Sequence, residues 1–152
     1  MKRFQFSLQP VLEHRERIED EKQMVVAQKK RALDEAENEL NRLNREFREN
    51  AHRVREKHRE IGTEELRLTY GHLQFLDRCI VSQIQIVAER RAALDRARKD
   101  LLEASKERKA VEKLKERRKA THETEAARVE QNELDDGNAR RYGRNKVGGG
   151  SL

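Results

Sequence analysis

Apolar residues recur every seven positions along most of the sequence. In the first half of the chain this series consists of Leu33, Leu40, Phe47, Val54 and Ile61, with Ala36 and Leu43 three residues further along. In the second half it consists of Leu66, Leu73, Ile80, Val87, Leu94 and Leu101. Charged residues lie between these positions. A seven-residue period kept over several turns predicts two coiled-coil helices.

The beginning of the first series is displaced along the chain. Val11, Ile18 and Val25 keep the seven-residue period, but they lie one residue out of phase with Leu33. The step from Val25 to Leu33 is therefore eight residues. A step of this kind predicts a local change in the winding of the coiled coil.

Residues with strong local preferences mark the predicted helix ends. Ser7 is a candidate N-cap, with Pro10 in the first turn, where its missing N–H has no effect. Gly62 is expected to take the left-handed conformation that ends a helix. Thr63 is expected to cap the next helix, which opens with two glutamates.

Two helices joined by so short a turn must lie antiparallel. The predicted elements are helix one over about 8–60, a turn over about 61–63, and helix two over about 64–136, ending near Gly137. This register places Phe47 opposite Asp77 and Leu8 near Glu116. Residues after about Arg117 then have no partner in the same chain. We predict an all-α fold, a long antiparallel two-helix coiled coil (a helical hairpin) with an overhanging C-terminal helical arm.

The hairpin and its arm form a single predicted domain over residues 1–144. The remaining residues, 145–152, include a Gly-Gly-Gly-Ser run, which is typical of a flexible linker. We assign this tail no function.

Composition excludes several classes of protein. Charged residues make up 42% of the chain, apolar residues 34% and aromatic residues 4%, too few bulky side chains to enclose a globular core. No apolar run approaches the roughly 20 residues of a membrane span, and the sequence shows no secretion signal. The one cysteine, Cys79, suits a reducing compartment. We expect a cytoplasmic protein.

The sequence contains no recognisable catalytic or metal-binding motif. It has no glycine-rich phosphate loop, its five histidines include no pair four residues apart, and Cys79 has no CxxC partner. A two-helix rod would not desolvate its carboxylates enough for acid–base catalysis. We therefore expect no enzymatic activity, no cofactor and no metal.

An apolar patch lies outside the predicted seam of helix two, that is, the helix face formed by its heptad series. Its members are Leu68, Phe75, Cys79 and Ile86, which fall about 100–140° around the helix from the seam. His72, Leu76 and Gln83 lie between this patch and the seam. The patch is either part of a broadened core, the contact with a third helix from a dimer partner, or a docking face for another protein.

Residues 106–119 form a basic run with eight basic and three acidic side chains. This run is either a solvated helix face or a surface that docks on an acidic protein or nucleic acid. The nucleic-acid interpretation is weak, because the run carries neither stacking aromatics nor a base-reading Asn or Gln pattern.

The two termini carry further candidate contacts. Phe4, Phe6 and Leu8 alternate, and we expect them to form a hydrophobic clasp over the first helical turn or to contact a partner. The acidic segment 130–136 lies near the predicted end of helix two, where negative charge opposes the helix dipole. Such a segment does not stabilise the helix, and we therefore favour a role in the recognition of a partner.

Three motifs resemble the FliJ family of flagellar type III export proteins. They are Phe4-x-Phe6-x-Leu8-x-x-Val11-Leu12-x-x-Arg15, Val111-Glu112-Lys113-Leu114-Lys115-Glu116-Arg117, and Glu130-Gln131-x-Glu133-Leu134-Asp135-Asp136. Their order and spacing match over about residues 1–144. Asp136 stands where the family usually has Glu, and the tail lies outside the match.

The resemblance implies a cytoplasmic, non-enzymatic component of the flagellar export apparatus. Family members are antiparallel coiled coils similar to the central stalk of rotary ATPases. They insert into the hexameric ring of the export ATPase, contact the membrane-embedded export gate and assist export chaperones. The resemblance therefore implies a monomer that associates with the inner membrane through its partners, without nucleic acid.

The resemblance also implies two sets of contact residues. The gate-facing set lies early in helix two and comprises His72, Phe75, Leu76, Cys79 and Gln83. The ATPase-facing set lies at the two termini and comprises Phe4, Phe6, Arg117, Arg118, Glu130, Gln131, Asp135 and Asp136.

Three other functions remain open at this point. One is the related coiled-coil stalk of virulence type III secretion. Another is a basic coiled coil that binds nucleic acid, which would show a steep salt dependence. The third is a structural dimer in which both apolar faces are buried.

Overall fold

The computed structural model describes residues 2–57 and 59–148, and within these ranges it contains two helices and no strand. Helix α1 spans Gln9–Lys57 and helix α2 spans Thr63–Gly148. Contacts between the two helices make the predicted helical hairpin, so the all-α coiled-coil fold class is confirmed. None of the helices in the described ranges combines the length and the apolar character needed to cross a membrane.

The start of α1 differs by one residue from the prediction. The Leu8 carbonyl accepts the first helical hydrogen bond, from the Leu12 N–H at 3.0 Å, so Leu8 occupies the N-cap position. Ser7 precedes it, and its hydroxyl accepts a hydrogen bond from Arg118 at 3.1 Å. The prediction that Ser7 caps α1 was therefore wrong. Pro10 lies in the first turn, as predicted.

The turn between the helices differs in conformation from the prediction. The Lys57 carbonyl accepts hydrogen bonds from the N–H groups of Glu60 and Ile61, at 2.9 and 3.0 Å. The Gly62 carbonyl accepts from Leu66 at 3.0 Å. Gly62 is therefore the N-cap of α2, and no described glycine has a positive φ. The predictions that Gly62 is left-handed and that Thr63 is the N-cap of α2 were both wrong.

Helix α2 continues past its predicted end near Gly137. It includes Gly137 and Gly143 and ends at Gly148. A glycine within a helix lowers helix stability by about 1 kcal/mol but does not by itself terminate the helix. The predicted tail is thus helical over 145–148, and its last four residues lie outside the described residues.

Internal contacts divide the chain into two compact units. One unit is Arg17–Ser105, here called the turn unit, and the other combines residues 1–16 with 106–152, here called the terminal unit. The core of the turn unit is a cluster of Leu33, Ala36, Val87 and Leu94, against which Val26, Leu40 and Ile86 pack. In the terminal unit, Phe6 and Leu12 are buried.

One seven-residue series of buried and half-buried positions runs through α1 without a break. Leu12 is 3% exposed and Glu19 8% exposed, and the next members, Val26 and Leu33, are half-buried and buried. Val11, in contrast, is 40% exposed. The predicted eight-residue step before Leu33 was wrong, because the charged residue Glu19 occupies a core position that an apolar pattern skips.

The seam of α2 and the antiparallel register match the prediction. Its six heptad residues, from Leu66 to Leu101, are all buried or half-buried. Phe47 and Asp77 line the same surface groove in the turn unit. In the terminal unit, Lys115 donates a hydrogen bond to the Gln9 side chain at 2.8 Å, next to the predicted neighbours Leu8 and Glu116.

Candidate functional site

The five predicted gate-facing residues meet at one open groove of the turn unit. The groove has a volume of about 620 Å³, and its lining comprises His72, Phe75, Leu76, Arg78, Cys79, Ser82 and Gln83 of α2 with Glu39, Arg42, Leu43 and Glu46 of α1. Spacings of three and four residues place the α2 members on one face of the helix. The site therefore uses both helices, although sequence analysis found only the α2 side.

The apolar residues of this groove differ in how far they are exposed, and therefore in their role. Leu76 is 2% exposed and belongs to the core, whereas Phe75 is 53% exposed. Cys79 is half-buried. The His72 and Phe75 rings stack, with centroids 6.4 Å apart and planes 24° apart. Phe75 is thus the large apolar side chain that the groove presents to solvent.

A network of charged side chains forms the α1 side of the groove. Arg42 donates two hydrogen bonds to Glu39, at 2.7 and 2.9 Å, and one to Glu46, at 3.1 Å. The Glu46 carboxylate also lies 3.3 Å from Nε2 of His72. The network holds Arg42 in one orientation and links α1 to α2 through His72.

The same network shifts two pKa values. The hydrogen bond from Arg42 lowers the pKa of the Glu39 carboxyl below its ordinary value of 4.5, with a smaller contribution from the positive charge. The hydrogen bond to Glu39 in turn raises the pKa of the Arg42 guanidinium. Both groups are charged at neutral pH, so the groove presents a fixed ion pair beside an exposed aromatic ring.

Gln83 has a structural role at the end of the groove. Its side-chain amide donates a hydrogen bond to the Ala36 carbonyl at 3.0 Å. The bond crosses from α2 to α1 and satisfies a polar side chain at a half-buried seam position.

The predicted apolar patch of α2 divides into two parts. Leu68 is 63% exposed and Phe75 53% exposed. Ile86 packs against the buried cluster around Leu33. The broadened-core interpretation therefore holds for Ile86, and the exposed surface is confined to the N-terminal part of the patch.

The first residues of the chain pack across α2 in the terminal unit. Residues 2–8, here called the N-terminal strap, place the Phe4 ring 5.6 Å from the His122 ring. The Arg118 guanidinium lies 5.8 Å from the centroid of the buried Phe6 ring. Nε2 of His122 lies 3.1 Å from the Lys2 carbonyl. Phe4 and Phe6 of the predicted clasp thus contact α2.

These strap contacts also move the beginning of the unpaired arm. Arg118 and His122 both contact the strap, so the expectation that partners end at about Arg117 was wrong. Phe4 and Phe6 of the irregular strap contact α2 beyond Arg117, so the paired part of α2 is longer than predicted by more than one helical turn. All residues from 127 to 148 are exposed.

The structure brings together only part of the predicted ATPase-facing set. Phe4, Phe6 and Arg118 lie at the strap, with the exposed Arg117 adjacent. The other members are exposed on the arm and comprise Glu130, Gln131, Asp135 and Asp136. The Gln131 amide donates to the Asp135 carboxylate at 3.0 Å. Since Glu130 follows Arg118 by twelve residues of helix, the two groups are roughly 18 Å apart along α2.

Four residues of these sites were not predicted from the sequence, namely Glu39, Arg42 and Glu46 of α1 and the strap contact His122. The α1 residues could have been found from the predicted antiparallel register of the two helices. The fold point that placed Phe47 opposite Asp77 also places the α2 side of the groove opposite the segment with Arg42. His122 was visible only as a polar residue at a heptad position.

Comparisons with known proteins agree with this architecture. The structure of a protein described as a homologue of YscO, CT670 from Chlamydia trachomatis, has a TM-score of 0.53 to this chain and 21% sequence identity. The alignment covers 95% of this chain and 99% of that one, and it shows a shared fold. No curated protein matches the sequence. The family model for the flagellar FliJ protein matches residues 4–147. The chain therefore belongs to the FliJ family and is a protein associated with flagellar type III export.

Proposed function

We propose that this chain is a non-enzymatic coiled-coil stalk of the flagellar export apparatus. It acts as a monomer in the cytoplasm and associates with the inner membrane through its partners. The terminal unit docks in the ring of the export ATPase, the groove of the turn unit contacts the membrane-embedded export gate, and the protein assists export chaperones.

The observation that carries the gate contact is the exposure of Phe75 inside the groove. Binding sites between proteins depend on a few central aromatic or arginine anchors. Phe75 is 53% exposed and has the Arg42 network and the His72 ring beside it. An aromatic ring flanked by oriented polar groups provides both an apolar anchor and directional contacts.

The ring contact rests on the strap and on the arm. The strap holds Phe4 half-buried against His122, and Ser7 of the strap accepts a hydrogen bond from Arg118. The arm presents an acidic segment with no buried residue. A helix without an internal partner is only marginally stable in water, so a binding partner around the arm would stabilise it.

The test of the gate contact measures binding and stability with the same variant. Phe75→Ala should weaken binding to the cytoplasmic part of the export gate about 30-fold or more, as loss of a central aromatic anchor does. Binding to the ATPase ring and the melting temperature should change little. Leu68→Ala is the matched control, because Leu68 is also more than half exposed but lies outside this groove.

Two results would contradict the proposal. One is an unchanged gate affinity for Phe75→Ala. The other is a large loss of melting temperature with equal loss of both binding activities, which would identify Phe75 as a core residue.

A further inference from the structure

The proposed contacts with gate and ring use only Arg117 and Arg118 of the basic run of α2, residues 106–119, and leave its other six basic residues unexplained. The run carries eight basic and three acidic side chains. In the terminal unit these charges are distributed unevenly around the helix, and this distribution suggests a specific anionic partner.

Two of the three acidic side chains are engaged in ion pairs. Glu107 pairs with Arg15 of α1. Glu112 pairs with Arg108 on α2, at 2.7 Å. Glu107 and Glu112 are therefore engaged by Arg15 and Arg108, and the third acidic residue, Glu116, is exposed.

One side of α2 presents a row of cations to solvent. Lys109, Lys113 and Arg117 follow one another at intervals of four residues, which places them on one side of the helix and spans about 12 Å. All three are exposed, and no ion pair found among the described residues includes any of them. The exposed Lys106 lies one turn before Lys109. We call these four residues the basic face.

The chemistry of the basic face narrows the choice of partner. The small residues Ala110 and Ala120 flank it, so it lacks the aromatic or large apolar anchor on which protein interfaces depend. It also lacks the stacking aromatics of single-strand binders. A straight, one-sided row of cations complements a flat anionic surface, for which charge alone is sufficient.

We propose that the basic face binds the surface of an anionic lipid bilayer directly. The row of cations lies parallel to the membrane, with side chains among the lipid headgroups and no inserted apolar group. Such binding is weak, reversible and sensitive to salt. It goes beyond the proposed function, in which membrane association occurs only through partner proteins.

The test uses the full chain and phosphatidylcholine vesicles with or without roughly one third phosphatidylserine, at low salt. The wild type should sediment with the anionic vesicles and not with the neutral ones. Lys109→Gln combined with Lys113→Gln should lower the partition coefficient about 30-fold, since each basic residue at the surface contributes about a fivefold factor. Both lysines lie in the terminal unit, but neither belongs to the groove, the strap or the arm residues to which gate and ring contacts are assigned, so the result is independent of those contacts.

A matched control separates the basic face from net charge. Lys29→Gln with Lys30→Gln removes the same charge from exposed positions of α1 and should change the partition coefficient less than about threefold. Circular dichroism should show the same helicity for all three proteins, since Gln is a good helix former.

Three outcomes would overturn the proposal. Equal binding to neutral vesicles would show that the anionic headgroups are not recognised. An equal effect of both double variants would show attraction by net charge alone. Displacement from the vesicles by duplex DNA at equal phosphate concentration, dependent on Lys109 and Lys113, would identify the basic face as a nucleic-acid surface.

Discussion

The Ser105 hydroxyl donates a hydrogen bond of 3.0 Å to the carboxylate of Glu19, at a heptad position of α1 where an apolar residue would be expected. Glu19 is 8% exposed. A carboxyl group so deep in a seam must have its oxygens hydrogen-bonded. The pair therefore keeps the seven-residue series of α1 continuous through a polar position.

This pair should contribute measurably to stability. Ser105→Ala removes the hydroxyl donor and should lower the free energy of unfolding by about 1–2 kcal/mol, because a hydrogen bond to a buried carboxyl group is lost. Urea unfolding followed by circular dichroism measures the change. Ser82→Ala, at an exposed position, should fall within about 0.5 kcal/mol of wild type. Equal effects of the two variants would show that the Glu19–Ser105 bond does not stabilise the seam.

The register at the start of α1 can be tested with two adjacent residues. Leu12→Ala should cost about 2–5 kcal/mol, because Leu12 is almost fully buried. Val11→Ala should cost less than about 1 kcal/mol, since Val11 is largely exposed. Thermal or urea unfolding distinguishes them. If Val11→Ala cost more stability than Leu12→Ala, the predicted eight-residue step before Leu33 would be correct after all.

Adjacent residues of the groove should also differ in their effect on stability. Leu76 is buried and Phe75 is half exposed. We expect Leu76→Ala to lower the free energy of unfolding by about 2–5 kcal/mol, and Phe75→Ala to lower it by less than about 1 kcal/mol. If unfolding measurements give equal losses, Phe75 packs inside the core.

The ion pair between Glu39 and Arg42 predicts a pH dependence. Because the pKa of the folded Glu39 carboxyl is lowered from 4.5, its stabilising contribution is present above pH 4.5 and is lost as the pH falls through the lowered value. Carbon NMR titration of Glu39 should give a midpoint below 4.5 in the wild type. Arg42→Gln should raise this midpoint towards the ordinary value.

Arg45→Gln is the control for this titration. Arg45 is an exposed arginine on the same helix, and it is absent from the hydrogen bonds described for Glu39. Its replacement should leave the Glu39 midpoint unchanged. A midpoint that is unaffected by Arg42→Gln would exclude the hydrogen bond as the cause of the shift.

Removal of the arm should separate stability from ring binding. Truncation after Ala127 deletes a segment in which every described residue is exposed, so the urea midpoint of the remaining hairpin should not change measurably. Binding to the ATPase ring should weaken strongly, because the acidic segment is lost. Full retention of ring binding would restrict that contact to the strap and its neighbours on α2.

Several features of this protein followed from the sequence alone. The heptad series of Leu66–Leu101 predicted the buried seam of α2, and the break near Gly62 predicted the antiparallel register that brings Phe47 beside Asp77. Both depend on local regularities: a repeated apolar position selects a helix face, and a short connection determines the direction of the second helix. The motifs at the two termini also indicated the family that the comparison found.

Other features were decided only by the tertiary structure. The apolar pattern predicted Val11 as a seam residue, but contact with α2 buried Leu12 and left Val11 exposed. Glu19 also occupies a core position, because Ser105 of the other helix donates a hydrogen bond to its carboxylate. A search for apolar residues does not detect a glutamate at such a position. The strap and the Arg42 network likewise join residues distant in sequence. Periodicity shows which residues share a helix face, but burial depends on what the second helix places against that face.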